Sequence, residues 1–179
     1  MNTKVYFAKV NPNAKIPSKR IEDAGFDIYA CFEDEYMVIA PHETKLIPTG
    51  IASVCSPDYC FVLKERGSTG TKGIAQRCGI IDSGYRNEWF VPITNTTNKW
   101  LGIYKETMTE NELKETVWWV RKRFENRLQF GIQCYPYEKA ICQALLIPVP
   151  QTEVEEITFD KLQSFESERG NGALGSSGK

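Results

Sequence analysis

Residues 44–65 read TKLIPTGIASVCSPDYCFVLKE. Two runs rich in β-branched and aromatic side chains, TKLIPTGIASV and YCFVLKE, flank SPD, a proline-aspartate turn signal. The same alternation of short run and turn continues outward. Upstream lie KVYFAKV, GFDIYA and YMVIA; downstream lie EWFVPITN and AICQALLIPV, with NPN, APHE and DSG among the breaks. Runs this short at this spacing predict an all-β sandwich or barrel.

One segment departs from the pattern. From Thr109 the chain reads TENELKETVWWVRKRFENRL, opening with a Thr109–Glu112 capping box and placing Leu113, Val117, Val120, Phe124 and Leu128 at helical spacing. This predicts one amphipathic helix inside a β domain, within a segment of about residues 97–135. Trp119 falls off the apolar stripe, where packing on a neighbouring loop or subunit is favoured over a surface for another protein. Beyond Pro150, QTEVEEITFDKLQSFESERG is polar and acidic with few apolar anchors, which suits an arm. The expected division is therefore a β domain over 1–150 and a C-terminal arm over 151–179.

A chain of 179 residues with 41% apolar side chains can bury one real core. Its net charge of −1 gives no basic excess, which argues against direct nucleic-acid binding. The first residues lack the apolar run of a signal peptide and no stretch of about 18 apolar residues occurs, so the expectation is a soluble protein of the cytoplasm, or of a host's cytoplasm if phage-encoded. Six cysteines without a C-x-x-C pair read as buried reduced thiols. His42 is the only histidine and sits in the turn APHET, which leaves histidine-based catalysis and zinc hydrolysis poorly supported.

Four stretches carry groups suited to chemistry. GFDIYA sets Asp27 in an apolar strand, where a buried carboxylate needs a partner or a metal. KERGSTGTKG gathers Arg66, Gly67, Ser68, Thr69 and Lys72 into a set of backbone, hydroxyl and cationic donors. GIIDSGYRNEWF holds Asp82 at a tight turn, where a carboxylate can serve as a general base toward water, with Tyr85 three positions on. Finally, Gly170, Gly172 and Gly175 in ERGNGALGSSGK form G-x-G-x-x-G, but without the strand, helix and later acid of a dinucleotide fold. What remains is a flexible loop whose N–H groups can turn toward an anion beside Arg169, Ser176 and Ser177. Together these suit a polyphosphate charge-balanced by Mg²⁺ and attacked by an aspartate-activated water.

In that order the chain resembles the trimeric dUTPase family. AGFDIYA is similar to the family's first motif, ERGSTG to the second, GIIDSGYRNE to the third, AICQALLI to the fourth and RGNGALGSSG to the fifth. IPTGIA and the P-x-Y of Pro57 and Tyr59 add to the likeness. The resemblance implies a β jelly roll carrying one inserted helix, assembled as a homotrimer whose C-terminal arms cross between subunits. It implies hydrolysis of dUTP to dUMP and pyrophosphate, with Asp82 orienting the attacking water and Mg²⁺ supported by Asp27 through water. Tyr85 would lie under the deoxyribose, and the main chain of Gly79 to Ile81 would read the uracil, with Gln76 beside it. Arg66, Gly67, Ser68 and Gln143 would line the phosphates. Arg169, Leu174, Gly175 and Ser176 would close over the nucleotide from the arm.

The chain also departs from the family pattern. Glu65 and Gly67 flank Arg66 where Pro and Ser are usual, Glu138, Lys139 and Ala140 replace Gly-Asp-Arg, and Leu174 stands where an aromatic residue stacks on uracil. Two other readings compete with hydrolysis. One is a nucleotide-dependent sensor that binds a protein partner through the helical insert. The other is a dCTP deaminase-like enzyme, in which Glu88 could be offered as the acid.

Overall fold

The structure is a computed structural model that describes residues 3–123 and 131–168. It divides into a unit spanning Met1–Val149 and a second spanning Pro150–Lys179. The first is built of short strands, as expected: β1 (Tyr6–Lys9), β2 (Gly25–Ile28), β3 (Tyr36–Ile39), β4 (Thr44–Pro48), β5 (Ile51–Val54), β6 (Tyr59–Lys64), β7 (Ile74–Gln76), β8 (Ile80–Ile81), β9 (Phe90–Asn95), β10 (Trp100–Tyr104), β11 (Ile132–Pro136) and β12 (Cys142–Pro148). A single turn of helix, α1 (Gly67–Gly70), follows β6, and α2 (Glu110–Arg123) follows β10.

The stretch 44–65 becomes β4, β5 and β6, and its two breaks route the chain between sheets. β4 pairs with β9 and β5 with β1, the change of partner falling at Thr49 and Gly50. There Thr49 Oγ1 donates to Trp89 O at 2.6 Å and Gly50 N donates to Glu88 Oε1 at 2.7 Å, so both polar groups are satisfied inside the fold. At SPD, Tyr59 N closes a turn onto Ser56 O at 3.0 Å. β6 then enters the four-stranded sheet β2-β12-β6-β8. The remaining sheets are β4-β9-β7 and β11-β10-β3.

The core lies between these sheets. Ile28, Ile39, Ile47, Leu63, Val91, Ile93 and Ile103 are buried, and Phe7, Phe61 and Trp89 interlock with ring centroids 5.1–5.7 Å apart. Along β9 the alternate residues Val91, Ile93 and Asn95 all point inward. Asn95 is polar, but its Nδ2 donates to Ile39 O, Ala40 O and Lys99 O while its Oδ1 accepts from Thr97 N and Oγ1. It thereby ties β9 to the ends of β3 and β10.

The segment 97–135 is more than a helix. The capping box forms as expected, with Thr109 N donating to Glu112 Oε2 at 2.7 Å and Glu112 N to Thr109 Oγ1 at 3.2 Å, and Leu113 and Val117 are buried. On either side of α2, however, the chain forms β10 and β11, which pair in parallel beside β3. Trp118 is half exposed. The side chains of Trp119, Val120, Phe124 and Leu128 lie outside the described residues.

The cysteines need one correction. All six are free, and Cys31, Cys55, Cys60 and Cys142 are buried, but Cys134 is only half buried and Cys78 is exposed. Cys78 falls in the tight link between β7 and β8 with φ of 46°, on the surface rather than in a strand that feeds the core. His42 occupies an exposed turn as expected, its Nε2 3.0 Å from Asn98 Oδ1.

In the second unit, the described residues are all exposed. The chain has no regular structure before Thr158, whose hydroxyl caps α3 (Phe159–Gln163) by accepting Lys161 N at 3.2 Å. No described helix is long and apolar enough to cross a membrane.

Candidate functional site

One rung of the four-stranded sheet carries the charges. Gln143 of β12 lies opposite Asp27 of β2 on one side and Lys64 of β6 on the other. Because β6 ends there, Arg66 emerges beside Asp27, and its Nε meets Asp27 Oδ1 at 3.0 Å. Nη1 also donates to Ala140 O at 3.3 Å, so the guanidinium bridges the ends of β2 and β12. The expectation of a buried Asp27 is corrected, since its side chain is 35% exposed; the partner it was expected to need is present as Arg66.

The arginine's backbone is fixed from below. Thr69 is fully buried, its Oγ1 accepting Arg66 N at 3.0 Å and lying 3.0 Å from Arg66 O. Gln143 is fixed as well, since its Nε2 donates to Glu65 O at 2.8 Å. Gly25 makes room for this amide, because a Cβ there would lie 2.6 Å from Gln143 Oε1. Glu65 in turn accepts Gln76 N through Oε1 at 3.2 Å. In place of a proline, the chain therefore has a residue that ties the second motif to β7. Above these groups opens a cleft of about 900 Å³ walled by the 18–25 loop, Asp27, Arg66, Gly67, Ser68 and Gln143.

The third motif is organised separately, around the edge strand β8. Phe61 faces Ile81 and Val62 faces Ile80, and Leu63 N donates to Gly79 O at 2.7 Å. Gln76 Nε2 donates to Arg77 O at 2.6 Å and also to Cys78 O, which holds the bend that leads into Gly79. After β8, Asp82 is exposed in a turn closed by Tyr85 N on Asp82 O at 3.0 Å, and Tyr85 Oη donates to Glu88 O at 3.1 Å. The Asp82 charge reaches the base of β6, where it adds to burial in pushing the Cys60 thiol upward.

The two halves of the site are far apart within one chain. Asp82 follows Ile81, the partner of Phe61 near the start of β6, whereas Arg66 follows the other end of that strand; Phe61 and Lys64 alone are about 10 Å apart at some 3.3 Å per residue. The structure brings Asp27, Arg66, Gly67, Ser68 and Gln143 together, and Gly79, Ile81, Asp82 and Tyr85 together, with Gln76 between the groups. Arg169, Leu174, Gly175 and Ser176 lie outside the described residues.

Glu65 was not anticipated as a site residue. Thr69, expected as a hydroxyl donor toward a ligand, is instead fully buried and spent on the Arg66 main chain, three positions back, the spacing of a local side-chain clamp. Glu88, offered for a deaminase, holds Gly50 N at 2.7 Å.

A metal can be weighed against this donor set. No group of three or more His, Cys, Asp or Glu side chains suited to an ion occurs among the described residues. Mg²⁺ does not require one: it keeps several waters and binds through one or two carboxylates plus substrate phosphates. Asp27, a partly exposed carboxylate on the wall of the cleft, fits that mode.

Comparison with known proteins bears on the family and the fold. The dUTPase family model matches residues 12–107. The deoxyuridine 5'-triphosphate nucleotidohydrolase of Tolumonas auensis is 32% identical over 161 residues, spanning 87% of this chain and 82% of that protein. The enzyme of the same name from Leptospira interrogans is 34% identical over 96 residues, 51% of this chain and 66% of its own length. Among solved structures, a Staphylococcus bacteriophage 80alpha dUTPase mutant with dUpNHpp superposes with a TM-score of 0.70 at 21% identity, covering 99% of this chain and 100% of that one. At that identity the likeness speaks for the fold.

Proposed function

The chain belongs to the dUTPase family, and from that premise we propose that it hydrolyses dUTP to dUMP and pyrophosphate by attack of water on the α-phosphorus. Asp82 orients that water and draws off its proton. The carboxylate suits the task because it is exposed and its turn is pinned by the Tyr85 amide.

Base recognition falls to β8. As the outer strand of its sheet it leaves one row of N–H and C=O groups unpaired, which can meet the edge of a uracil. Tyr85 packs beneath the deoxyribose. Arg66, Ser68 and Gln143 receive the phosphates, with Arg66 already oriented by Asp27. Mg²⁺, when bound with the triphosphate, offsets phosphate charge, and Asp27 is the residue that would hold it through water. Arg169 and Ser176 complete the γ end, with Leu174 and Gly175 over the base.

The observation that carries this reading is the convergence of the first, second and fourth motifs on one polar cleft, from strands distant in sequence. The placement of Arg66 and Asp82 toward opposite ends of β6 then has a natural explanation. The phosphorus atoms of one triphosphate lie only a few ångströms apart, so one substrate meets the Arg66 of one subunit and the Asp82 of another. That arrangement suits a homotrimer with its arms exchanged.

The test is pyrophosphate release from dUTP, dCTP, dTTP and UTP with Mg²⁺, using the wild-type chain beside Asp82→Asn. Release from dUTP alone, lost in the variant, is the expected result. Silence with dUTP, or equal rates with all four, would overturn the assignment.

A further inference from the structure

The cations and carboxylates of the phosphate cleft are not evenly matched. Lys19, Arg20 and Arg66 line it together with Glu22, Asp23 and Asp27. Arg66 is engaged by Asp27. Arg20 is engaged by Asp23 through two parallel contacts, Nε to Oδ2 at 2.9 Å and Nη2 to Oδ1 at 2.8 Å. The Arg20 hydrogen bonds also hold the Asp23 carboxyl down to a pKa of about 2.

Lys19 is different. Its ammonium donates to Asp23 O at 2.7 Å and Arg20 O at 3.5 Å, and among the described residues no carboxylate lies within ion-pair distance of it. Carbonyls orient the group without neutralising it; the Phe26 ring centroid lies 5.7 Å away, and the ammonium charge also helps to hold the Asp23 carboxyl down. The carbonyls are themselves fixed, because Asp23 N donates to Arg20 O at 3.2 Å and Arg20 N to Asp23 Oδ2 at 3.2 Å, which closes the turn. An ammonium has three donors, so one N–H remains for an incoming oxygen anion. Elsewhere in the same cleft, Gly67 offers no side chain, and a Cβ placed there would meet nothing within 4 Å.

We propose that Lys19 is a phosphate-binding residue of this enzyme, supplying from the 18–25 loop a donor in place of the hydroxyl that position 67 lacks. The proposal rests on the dUTP reading of the cleft. Lys19 touches the non-reacting phosphates, so it contributes to substrate capture rather than to the chemical step.

The experiment compares wild type, Lys19→Met and Lys19→Arg in two assays, with melting temperature as a control. In dUTP turnover with Mg²⁺, Lys19→Met should raise KM roughly tenfold with kcat within about twofold, and Lys19→Arg should stay near wild type. The loss in kcat/KM should shrink as salt rises, which a purely structural role would not produce. In calorimetry with inorganic tripolyphosphate and Mg²⁺, Lys19→Met should weaken binding by a similar factor. If Lys19→Met leaves KM and tripolyphosphate affinity within about twofold of wild type, or Lys19→Arg loses as much as Lys19→Met, the proposal is wrong. A wild-type chain that fails to turn over dUTP would overturn the nucleotide reading alone, and the tripolyphosphate arm would still decide the role of Lys19.

Discussion

Gly79 and Leu63 hold each other at a distance that admits no side chain. Leu63 N donates to Gly79 O at 2.7 Å, and a Cβ on Gly79 would lie 2.7 Å from Leu63 O, an atom of the β6 backbone that cannot swing aside. The close approach sets the position of β8 and hence of the strand assigned to the base.

Gly79→Ala should therefore push β8 away from β6. The expected cost is about 1–3 kcal/mol of stability from overpacking, measured by urea denaturation. A larger proportional loss should appear in kcat/KM for dUTP, because the base-reading edge moves with the strand. An alanine variant with wild-type kinetics would show that β8 does not position the base.

Mixing subunits tests the separation of Arg66 from Asp82. Arg66→Ala and Asp82→Asn chains should each be inactive alone. Denatured together in equal amounts and refolded, they should recover about a quarter of wild-type activity, since a site needing an intact Arg66 from one subunit and an intact Asp82 from its neighbour arises with that frequency under random assembly. Sites built within single chains would recover nothing.

Asn95 is a structural hub rather than a site residue. Its side chain satisfies three main-chain carbonyls and accepts two donors in a nearly dry environment. Asn95→Ala should cost about 3 kcal/mol or more, because several buried partners lose their hydrogen bonds together. The check is the urea midpoint at neutral pH; a change below about 1 kcal/mol would mean that water replaces the amide.

Alkaline pH should weaken the fold. Burial raises the thiols of Cys31, Cys55, Cys60 and Cys142 above their ordinary value of 9.0, most strongly at Cys142. The unfolded chain releases these protons first. The stabilisation is thus fully present below about pH 9 and is lost as pH climbs toward the folded-state values. The urea midpoint should stay level up to about pH 8.5 and then fall, with a shallower fall in Cys142→Ala. A flat profile through about pH 10.5 would contradict the assignment of burial as the cause.

The readable parts of this fold were those whose side chains advertise their burial. Residues 44–65 showed β4, β5 and β6 because apolar runs and turn residues alternate there. β7 and β8 were hidden by length, being three and two residues long. β10 and β11 were hidden by context: WLGIY and IQCYP flank the strong capping box at Thr109, and the helical signal absorbed them into one segment. In the site, motif residues with charge or glycine stood out. The parts that Glu65 and Thr69 play did not, because both act on main-chain groups, Gln76 N and Arg66 N, that residue type does not mark. Sequence order also could not reveal that Asp82 and Arg66 sit toward opposite ends of β6, since that follows from the register of β8.

The parallel pairing of β10 with β11 changes what residues 105–131 mean for anyone engineering this chain. Antiparallel neighbours can be joined by two residues, but parallel neighbours need a connection of about a dozen or more to bring the chain back to the same end. The excursion cannot be trimmed to a tight turn without reversing β11 and tearing it from its partner. Lengthening is another matter, as it leaves the ends of both strands where they are. This region is a port: a reporter domain or an epitope could be spliced in at the exposed turn around Glu106 between β10 and α2, while a clean excision would damage the sheet it was meant to leave untouched.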